Sequence, residues 1–505
     1  MTALIIMASY LSLLLGLGQL SKRFFRGTAR DYFLASHSIG PVLLLMSVFG
    51  TTMTAFALVG STGEAYRGGI GVYGMMASWS GLIHAAVFFF VGIRLWTLGK
   101  RFGYLTQVQY FRDRFESESL GLLLFPILVG LIIPYLLMGL LGAGGVVRSL
   151  TRGAFPEAFA ATQGGVPPWL TGLVISAVVL WYIFFGGLRG AAWANTFQTC
   201  VFLVTGLITF WVIASKLGGA VAASEKVLQL HPERLIRGSE ISQLHFFTYC
   251  FIPLSVGMFP HLFQHWLTAR SARTFRLTVT AHPILIMLVW VPCVLIGVWA
   301  TAAMMPDGSL IVPASAPPNT ELALMVQKLT GPILGGLLGA GILAAIMSSL
   351  DSQFLCIGTM FTNDIVTHYF GEERFDDRQQ VLLARGFIVL IVAVTYLLSL
   401  LEPRQVFTLG VWCFSGFGSL FPLVFASLYW RRVTKAGAIA SVIVTAIVWL
   451  LLFRESGYGA DRSYLFLGMM PVATIFSCSL LTLVGVSLVT KTPSAATLKK
   501  FNPAW

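Results

Sequence analysis

Long apolar runs recur along the whole 505-residue chain and constrain its fold more than any other feature. A run of about 20 apolar residues is long enough to cross the hydrocarbon core of a membrane as a helix. Because 56% of the residues are hydrophobic and only 10% are charged, we predict an all-α polytopic membrane protein. The thirteen predicted spans, numbered in chain order, are 2–20, 40–63, 72–97, 120–147, 169–187, 192–214, 243–266, 278–304, 331–362, 382–401, 405–429, 436–453 and 464–489.

The basic residues are distributed unevenly among the loops between these spans. The formal net charge of +13, taken alone, would suggest a nucleic-acid partner. If the N-terminus lies outside the cell, however, the inner loops hold roughly twice as many Lys and Arg residues as the outer loops. This positive-inside pattern predicts orientation and contact with anionic membrane lipids, not nucleic-acid binding. We expect a multi-pass protein of the cell membrane with a cytoplasmic C-terminus.

Two predicted spans contain residues that interrupt helices. Span 2 contains Gly50 followed by polar residues that favour leaving a helix, and span 7 contains Pro253, Gly257 and Pro260. Because spans 2 and 7 are five apart in the order of spans, the two breaks predict two five-helix repeats with a binding site near the midplane of the membrane. The alternative is that both spans are ordinary helices with a kink. The predicted parts of this single transmembrane domain are a first helix with a cytoplasmic loop, two repeats and two C-terminal helices: 1–39, 40–214, 243–429 and 436–489.

Span 9 carries a polar cluster in the middle of its apolar run. At about 1.5 Å per residue the cluster lies well inside the hydrocarbon, where hydroxyls and a carboxylate cost free energy unless they line water, an ion or a solute. In a helix, Ser348, Asp351 and Ser352 share one face, with Ser349 beside them. The cluster therefore predicts an alkali-cation site. The alternative is that the hydroxyls bond to their own helix and Asp351 makes a polar contact between helices.

Five ordered motifs give the chain a family resemblance. They are Asp31–Ala35, Phe184–Gly190 with Trp193 and Gln198, Pro260–His261 followed by Arg270–Arg273, Ala345–Ser349, and Leu428–Gly437. With these motifs the chain resembles the sodium/solute symporter family, which includes proline, pantothenate, sialic acid, sugar and monocarboxylate carriers. The resemblance covers the chain from about residue 5 to residue 485.

The resemblance implies a LeuT-like core of two inverted five-helix repeats, with extra helices at both ends and sodium as the coupling ion. It also implies a sodium site between spans 2 and 9. Carried over by motif, the ligands are the carbonyls of Gly50, Met53 and Ala345 and the hydroxyls of Ser348 and Ser349. An oxygen shell without a carboxylate suits a monovalent ion, since divalent sites usually include carboxylates.

One departure from the family concerns a second cation site. Many members have an aspartate on span 6 where this chain has Asn195, and their second site also uses hydroxyls that correspond here to Asp351 and Ser352. The resemblance implies that the carboxylate has moved across the same cavity, so that Asn195, Ser348, Asp351 and Ser352 form a second cation or proton site. The alternative is that Asp351 only hydrogen-bonds Asn195 and that one sodium is used.

The solute pocket of this architecture faces spans 2, 3, 7 and 11. The predicted lining residues are Phe56, Met76, Phe251 and Trp412, and Ser415 is a predicted polar contact of the solute. Met76 aligns with a glutamate of sugar carriers, which disfavours a sugar, whereas a small carboxylate or amino acid could bind a helix N-terminus at a break. His261 and His265 lie nearer an interface and are interpreted as structural.

These patterns predict a sodium-coupled symporter that imports a small organic solute by alternating access and functions as a monomer. A transporter-like membrane sensor that works with a separate signalling partner is the alternative. An enzyme is disfavoured because, apart from Asp351, the acidic residues lie mainly in loops or at span edges. None of them is spaced from a histidine in a way that indicates an acid–base catalytic pair.

Overall fold

The computed structural model describes residues 1–21, 32–33, 39–238, 241–401 and 405–501. Within these ranges eleven helices are long and apolar enough to cross a membrane, and two bent helix pairs bring the total to thirteen. The all-α class and the number of spans are thus confirmed, although span 13 begins at Pro471 and not at residue 464. Their bounds are Thr2–Leu20, Pro41–Thr52 with Phe56–Gly68, Gly71–Phe102, Glu118–Leu150, Pro168–Leu188, Gly190–Lys216, Gln243–Gly257 with Pro260–Leu267, Ala272–Ala300, Pro332–Phe370, Asp377–Ser399, Val406–Tyr429, Lys435–Glu455 and Pro471–Val489.

Spans 2 and 7 are the two bent pairs, as the sequence predicts. Span 2 bends by 59° and span 7 by 50°. In span 2 the first half ends at Thr52, and Met53 adopts an extended backbone with φ −87° and ψ 101°. The Thr54 hydroxyl then accepts a hydrogen bond of 3.0 Å from the Phe56 N–H, which begins the second half. In span 7, Pro260 begins the second half, where its missing N–H removes no helical hydrogen bond.

The turn between spans 5 and 6 depends on Gly187. Pro168–Lys216 contains two helices joined at a kink, where Gly187 has φ 53° and ψ −157°, a backbone conformation that favours glycine. A Cβ at this position would lie 2.9 Å from the Tyr32 carbonyl oxygen. The Gly-Gly motif therefore meets the Asp31–Ala35 motif at this turn, although only Tyr32 and Phe33 of the latter are among the described residues.

Span 9 forms the centre of the bundle. Its apolar window is 83% buried, the highest value among the unbroken spans in the described ranges. It packs against spans 1, 4 and 10, the joined helices of spans 5 and 6, the first half of span 2 and the second half of span 7. Glycine permits this close approach, since a Cβ at Gly339 would lie 2.6 Å from the Leu150 side chain. The polar cluster of span 9 is thereby held against the break in span 2 and the second half of span 7.

Candidate cation site

The break in span 2 faces the middle of span 9. The Ser348 hydroxyl lies 2.7 Å from the Gly50 carbonyl oxygen and 3.0 Å from the Ala345 carbonyl oxygen, and it can donate to either. Three of the five predicted sodium ligands therefore meet. Beside them the Thr51 hydroxyl is fully buried and has no hydrogen-bond partner among the described residues. Carbonyl and hydroxyl oxygens that converge away from water form a donor set that fits a hard monovalent cation.

Gly50 permits span 6 to approach this contact. A Cβ at Gly50 would overlap the Thr199 hydroxyl and lie 3.5 Å from the Ser348 hydroxyl. The Thr199 hydroxyl is itself engaged, because it donates to the Met46 carbonyl at 3.0 Å. Glycine is therefore required at this position for steric reasons, and span 6 forms one wall of the site.

The other two predicted ligands flank this contact. Met53 directly follows the first half of span 2 and is fully buried. The Ser349 hydroxyl accepts a hydrogen bond of 2.7 Å from the Gln353 amide, one turn along the same helix. The described hydrogen bonds join neither residue to the contact between Gly50 and Ser348, and both ligand assignments stay predictions.

One turn along span 9, Asp351 lies at the centre of a second polar cluster. The Tyr182 hydroxyl donates to Oδ2 at 3.1 Å, and the Ser352 hydroxyl lies 3.0 Å from Oδ1. With its nitrogen assigned to face the carboxylate, the Asn195 amide donates to both oxygens, at 2.9 and 3.0 Å, and lies 3.2 Å from the Ser348 carbonyl. The structure thus brings together the four residues of the predicted second site.

Asp351 is fully buried and forms no ion pair with any described residue. A buried carboxylate without a cationic partner costs free energy unless it binds a cation or a proton or is well hydrogen-bonded. The hydrogen bonds with Tyr182, Ser352 and Asn195 can also stabilise a carboxylate that has only a structural role. The geometry is therefore compatible with both alternatives that the sequence leaves open.

The structure also brings in residues that the sequence analysis did not select. His265 Nδ1 lies 2.8 Å from the Ser47 hydroxyl, and Nε2 lies 2.9 Å from the Ser352 hydroxyl. Tyr182, which contacts Asp351, was likewise missed. Their partners are 87 to 218 residues away in the chain, so no local spacing marks them. The available signal was weaker: each is a polar side chain inside an apolar span.

Trp412, one of the predicted solute-lining residues, borders a cavity of about 260 Å³, named here the Trp412 cavity. The cavity lies between the second half of span 2, the start of span 7, span 11 and the segment before span 13. Its lining includes the rings of Phe407, Trp412 and Tyr464 and four charged side chains, those of Glu64, Arg67, Asp461 and Arg462. This combination can hold a small solute that has both an apolar part and a charge.

The remaining predicted lining residues have separate surroundings. Phe56 stacks on Phe407 of the Trp412 cavity with ring centroids 4.9 Å apart, whereas Phe251 packs on Phe476 at 4.7 Å. The Ser415 hydroxyl donates at 2.6 Å to the Val411 carbonyl of its own helix, and Met76 is fully buried. These contacts do not gather the five side chains around one cavity, so their role in solute binding stays a prediction.

A thirteen-span bundle with two interrupted helices and a buried oxygen cluster at one interruption is a secondary transporter of the LeuT-like class. The structure matches that of a Na⁺-coupled sialic acid symporter in a substrate-bound outward-open state, with a TM-score of 0.77, 17% identity, and coverage of 98% of this chain and 99% of that one. It also matches a nucleobase-cation-symport-1 family transporter in a closed conformation, with a TM-score of 0.56, 13% identity, and coverage of 95% and 99%. These likenesses confirm the LeuT-like fold.

The sequence profile of the sodium:solute symporter family matches residues 32–445, and the chain belongs to this family. It is 26% identical over 489 residues to the high-affinity proline transporter PutP of Bacillus subtilis, covering 94% of this chain and 95% of that protein. It is 26% identical over 517 residues to a sodium/proline symporter of Staphylococcus aureus, covering 97% and 93%. The chain is therefore a multi-pass membrane transporter that couples sodium to the symport of a small solute, and it is not an enzyme.

Proposed function

We propose that the coupling sodium binds where the break in span 2 meets span 9, and that this ion drives import of the solute by alternating access. The proposed ligands are the carbonyls of Gly50, Met53 and Ala345 and the hydroxyls of Ser348 and Ser349. The 2.7 Å contact between the Ser348 hydroxyl and the Gly50 carbonyl supports this proposal most strongly, because one cation can touch both oxygens. Sodium would then bridge the broken helix and span 9, and its release would let them separate.

Alanine at Ser348 or Ser349 tests the ligand set. Each change removes one proposed oxygen ligand, so the sodium concentration for half-maximal uptake should rise about tenfold in each single variant and further in the double variant. Uptake into proteoliposomes over a series of sodium concentrations measures this value. Ser477→Ala is the matched control, since the Ser477 hydroxyl donates to the Ala473 carbonyl of its own helix and to no other described residue. An unaltered sodium dependence in the double variant would refute the ligand set.

We further propose that Asn195, Ser348, Asp351 and Ser352 hold a second cation or a proton. Support comes from the full burial of Asp351 and from the lack of an ion pair between it and any described residue. A second cation would supply the missing positive charge. The alternative, a single sodium with a structural Asp351, is supported by the hydrogen bonds from Tyr182 and Asn195.

The proposed solute is a small carboxylate, with amino acids as the first candidates. The Trp412 cavity supports this class because acidic and basic side chains both line it, and an amino acid carries both charges. Glu64 and Arg462 form no ion pair with the described residues, although their opposite charges attract each other at longer range. Two similar relatives are named as proline carriers, which favours the same class. Of the predicted lining residues, Trp412 borders this cavity, whereas Phe56, Met76, Phe251 and Ser415 do not border it and stay proposed solute contacts.

Trp412→Ala tests the solute side of the proposal. Loss of a large aromatic surface from the cavity should raise the KM for the solute about tenfold and leave the half-maximal sodium concentration unchanged. Uptake of labelled proline, other amino acids and small carboxylates first identifies the solute, and the variant is then measured with it. Trp211→Ala is the control, because the Trp211 side chain is 70% exposed and does not border the Trp412 cavity. An equal change in both variants would argue against solute binding at Trp412.

We propose that the protein lies in the cell membrane with its N-terminus outside and its C-terminus in the cytoplasm. The distribution of Lys and Arg among the loops supports this orientation, in which the Trp412 cavity opens outward and anionic lipids contact the inner loops. The breaks in spans 2 and 7 support the division into repeats at 40–214 and 243–429, flanked by 1–39 and 436–489. Since one chain supplies every proposed ligand, we propose that the monomer is functional.

A further inference from the structure

His265 joins two sides of the proposed sodium site. It lies in the second half of span 7, and its imidazole is fully buried. Nδ1 lies 2.8 Å from the Ser47 hydroxyl in the first half of span 2, and Nε2 lies 2.9 Å from the Ser352 hydroxyl on span 9. Ser47 precedes Gly50 by about one helical turn, and Ser352 follows Ser348 by about one turn. The ring therefore spans the gap between the helices that carry the proposed ligands.

We propose that His265 is a positioning residue for sodium. It would hold span 2 and span 9 at the separation that the ion requires, without touching the ion. This inference rests on the proposed sodium site. A neutral imidazole has one donor nitrogen and one acceptor nitrogen, so it can bond both hydroxyls at once. Partners of ligand residues that fix their orientation strongly affect the affinity of a metal site.

The surroundings of Ser352 favour one tautomer of His265. The Ser352 hydroxyl has a single proton, and it lies 3.0 Å from Asp351 Oδ1 and, in the Asn195 orientation described above, 2.9 Å from the Asn195 amide oxygen. A carboxylate is a stronger acceptor than a neutral nitrogen. When that proton points to Asp351, His265 Nε2 must carry the hydrogen that it donates to Ser352. Nδ1 then accepts from the Ser47 hydroxyl. His265 thus fixes the direction of the Ser352 hydrogen bond on span 9 as well as the distance between spans 2 and 9.

His261 offers a matched control on the same helix. It precedes His265 by about one turn and is equally buried. Its ring stacks on Phe259 with centroids 5.1 Å apart, and neither of its nitrogens has a hydrogen-bond partner among the described residues. Replacement of His261 removes a buried imidazole of the same span but no link between spans 2 and 9.

The test measures sodium binding without a solute. Sodium stabilises the purified full-length protein if it binds the folded state, so thermal unfolding is followed over a series of NaCl concentrations at constant ionic strength, with N-methylglucamine chloride as the balance. His265→Ala should raise the half-maximal sodium concentration about tenfold. His265→Asn, which reaches only the position of Nδ1, should do the same. His265→Gln, whose longer amide reaches toward Ser352, should retain more sodium affinity than the other two, and His261→Phe should match the native protein.

Ser348→Ala, measured in parallel, distinguishes a failure of the proposed sodium site from a failure of the proposed role of His265. If Ser348→Ala weakens sodium binding while His265→Ala and His265→Asn bind sodium as the native protein does, His265 has no positioning role and the proposed site stands. If Ser348→Ala also binds sodium normally, the proposed site itself is wrong. If His265→Ala does not fold, the comparison of the Gln and Asn variants decides, and equal sodium affinities in these two would overturn the role of His265.

Discussion

Asp351→Asn is expected to lower sodium-driven solute uptake by about tenfold or more. The change keeps the size of the side chain but removes the charge that the proposed second site uses. It also replaces an acceptor of the Tyr182 and Asn195 hydrogen bonds with an amide that needs acceptors of its own. Initial uptake rates in proteoliposomes with an inward sodium gradient measure the effect. Native uptake by this variant would show that the carboxylate is structural and that the carrier runs on one sodium.

A double change tests whether the charge can be moved back across the cavity. Asn195→Asp with Asp351→Ser places the carboxylate on span 6 and a hydroxyl on span 9. Because the two side chains are in contact, their effects should not add, and the double variant should recover uptake that Asp351→Ser loses. Uptake in the double variant no higher than in Asp351→Ser would mean that the two positions do not share an ion.

Gly50→Val is expected to reduce uptake by at least about tenfold. A side chain at this position overlaps the Thr199 hydroxyl and crowds the Ser348 hydroxyl, so span 6 must move away from the break. The proposed carbonyl ligand would move with it. Uptake is compared at equal amounts of folded protein, checked by gel filtration in detergent. Gly485→Val is the matched control, since a Cβ at Gly485 meets no atom within 4 Å.

A compensating change separates a steric cause from general damage to the helix. Gly50→Ala alone should impair uptake, because even a methyl group overlaps the Thr199 hydroxyl. Adding Thr199→Ala removes that hydroxyl and should restore part of the loss. If Gly50→Val transports like the native protein, the break does not approach span 6 as described. If Thr199→Ala fails to improve Gly50→Ala, the loss has another cause.

The helix breaks were predictable because their chemistry is local. Pro260 lacks an N–H and Gly50 lacks a side chain, and both properties can be read from the residues themselves. The shared helical face of Ser348, Asp351 and Ser352 follows equally from their spacing. The contact of Asn195 with Asp351 required more, since only the resemblance to a family placed spans 6 and 9 on one cavity.

The roles of other residues depend on packing that no local pattern encodes. His261 and His265 look alike in the sequence, yet one has no hydrogen-bond partner among the described residues and the other bonds two helices. Ser415 is predicted as a solute contact because it is a polar residue in span 11. Its hydroxyl instead donates to a carbonyl of its own helix, as the hydroxyl of any serine in a helix can. The Trp412 cavity combines four separate segments of the chain, and so its charged lining could not be predicted.

Equilibrium binding of radiolabelled sodium to the purified protein tests the proposed site most directly, because it requires neither the solute nor transport. The native protein should bind sodium saturably, with excess unlabelled sodium competing and potassium not competing. Binding to the Ser348→Ala, Ser349→Ala double variant should weaken by at least about tenfold, while Ser477→Ala binds normally. Undiminished sodium affinity in the double variant would contradict a sodium site between the break in span 2 and the hydroxyls of span 9.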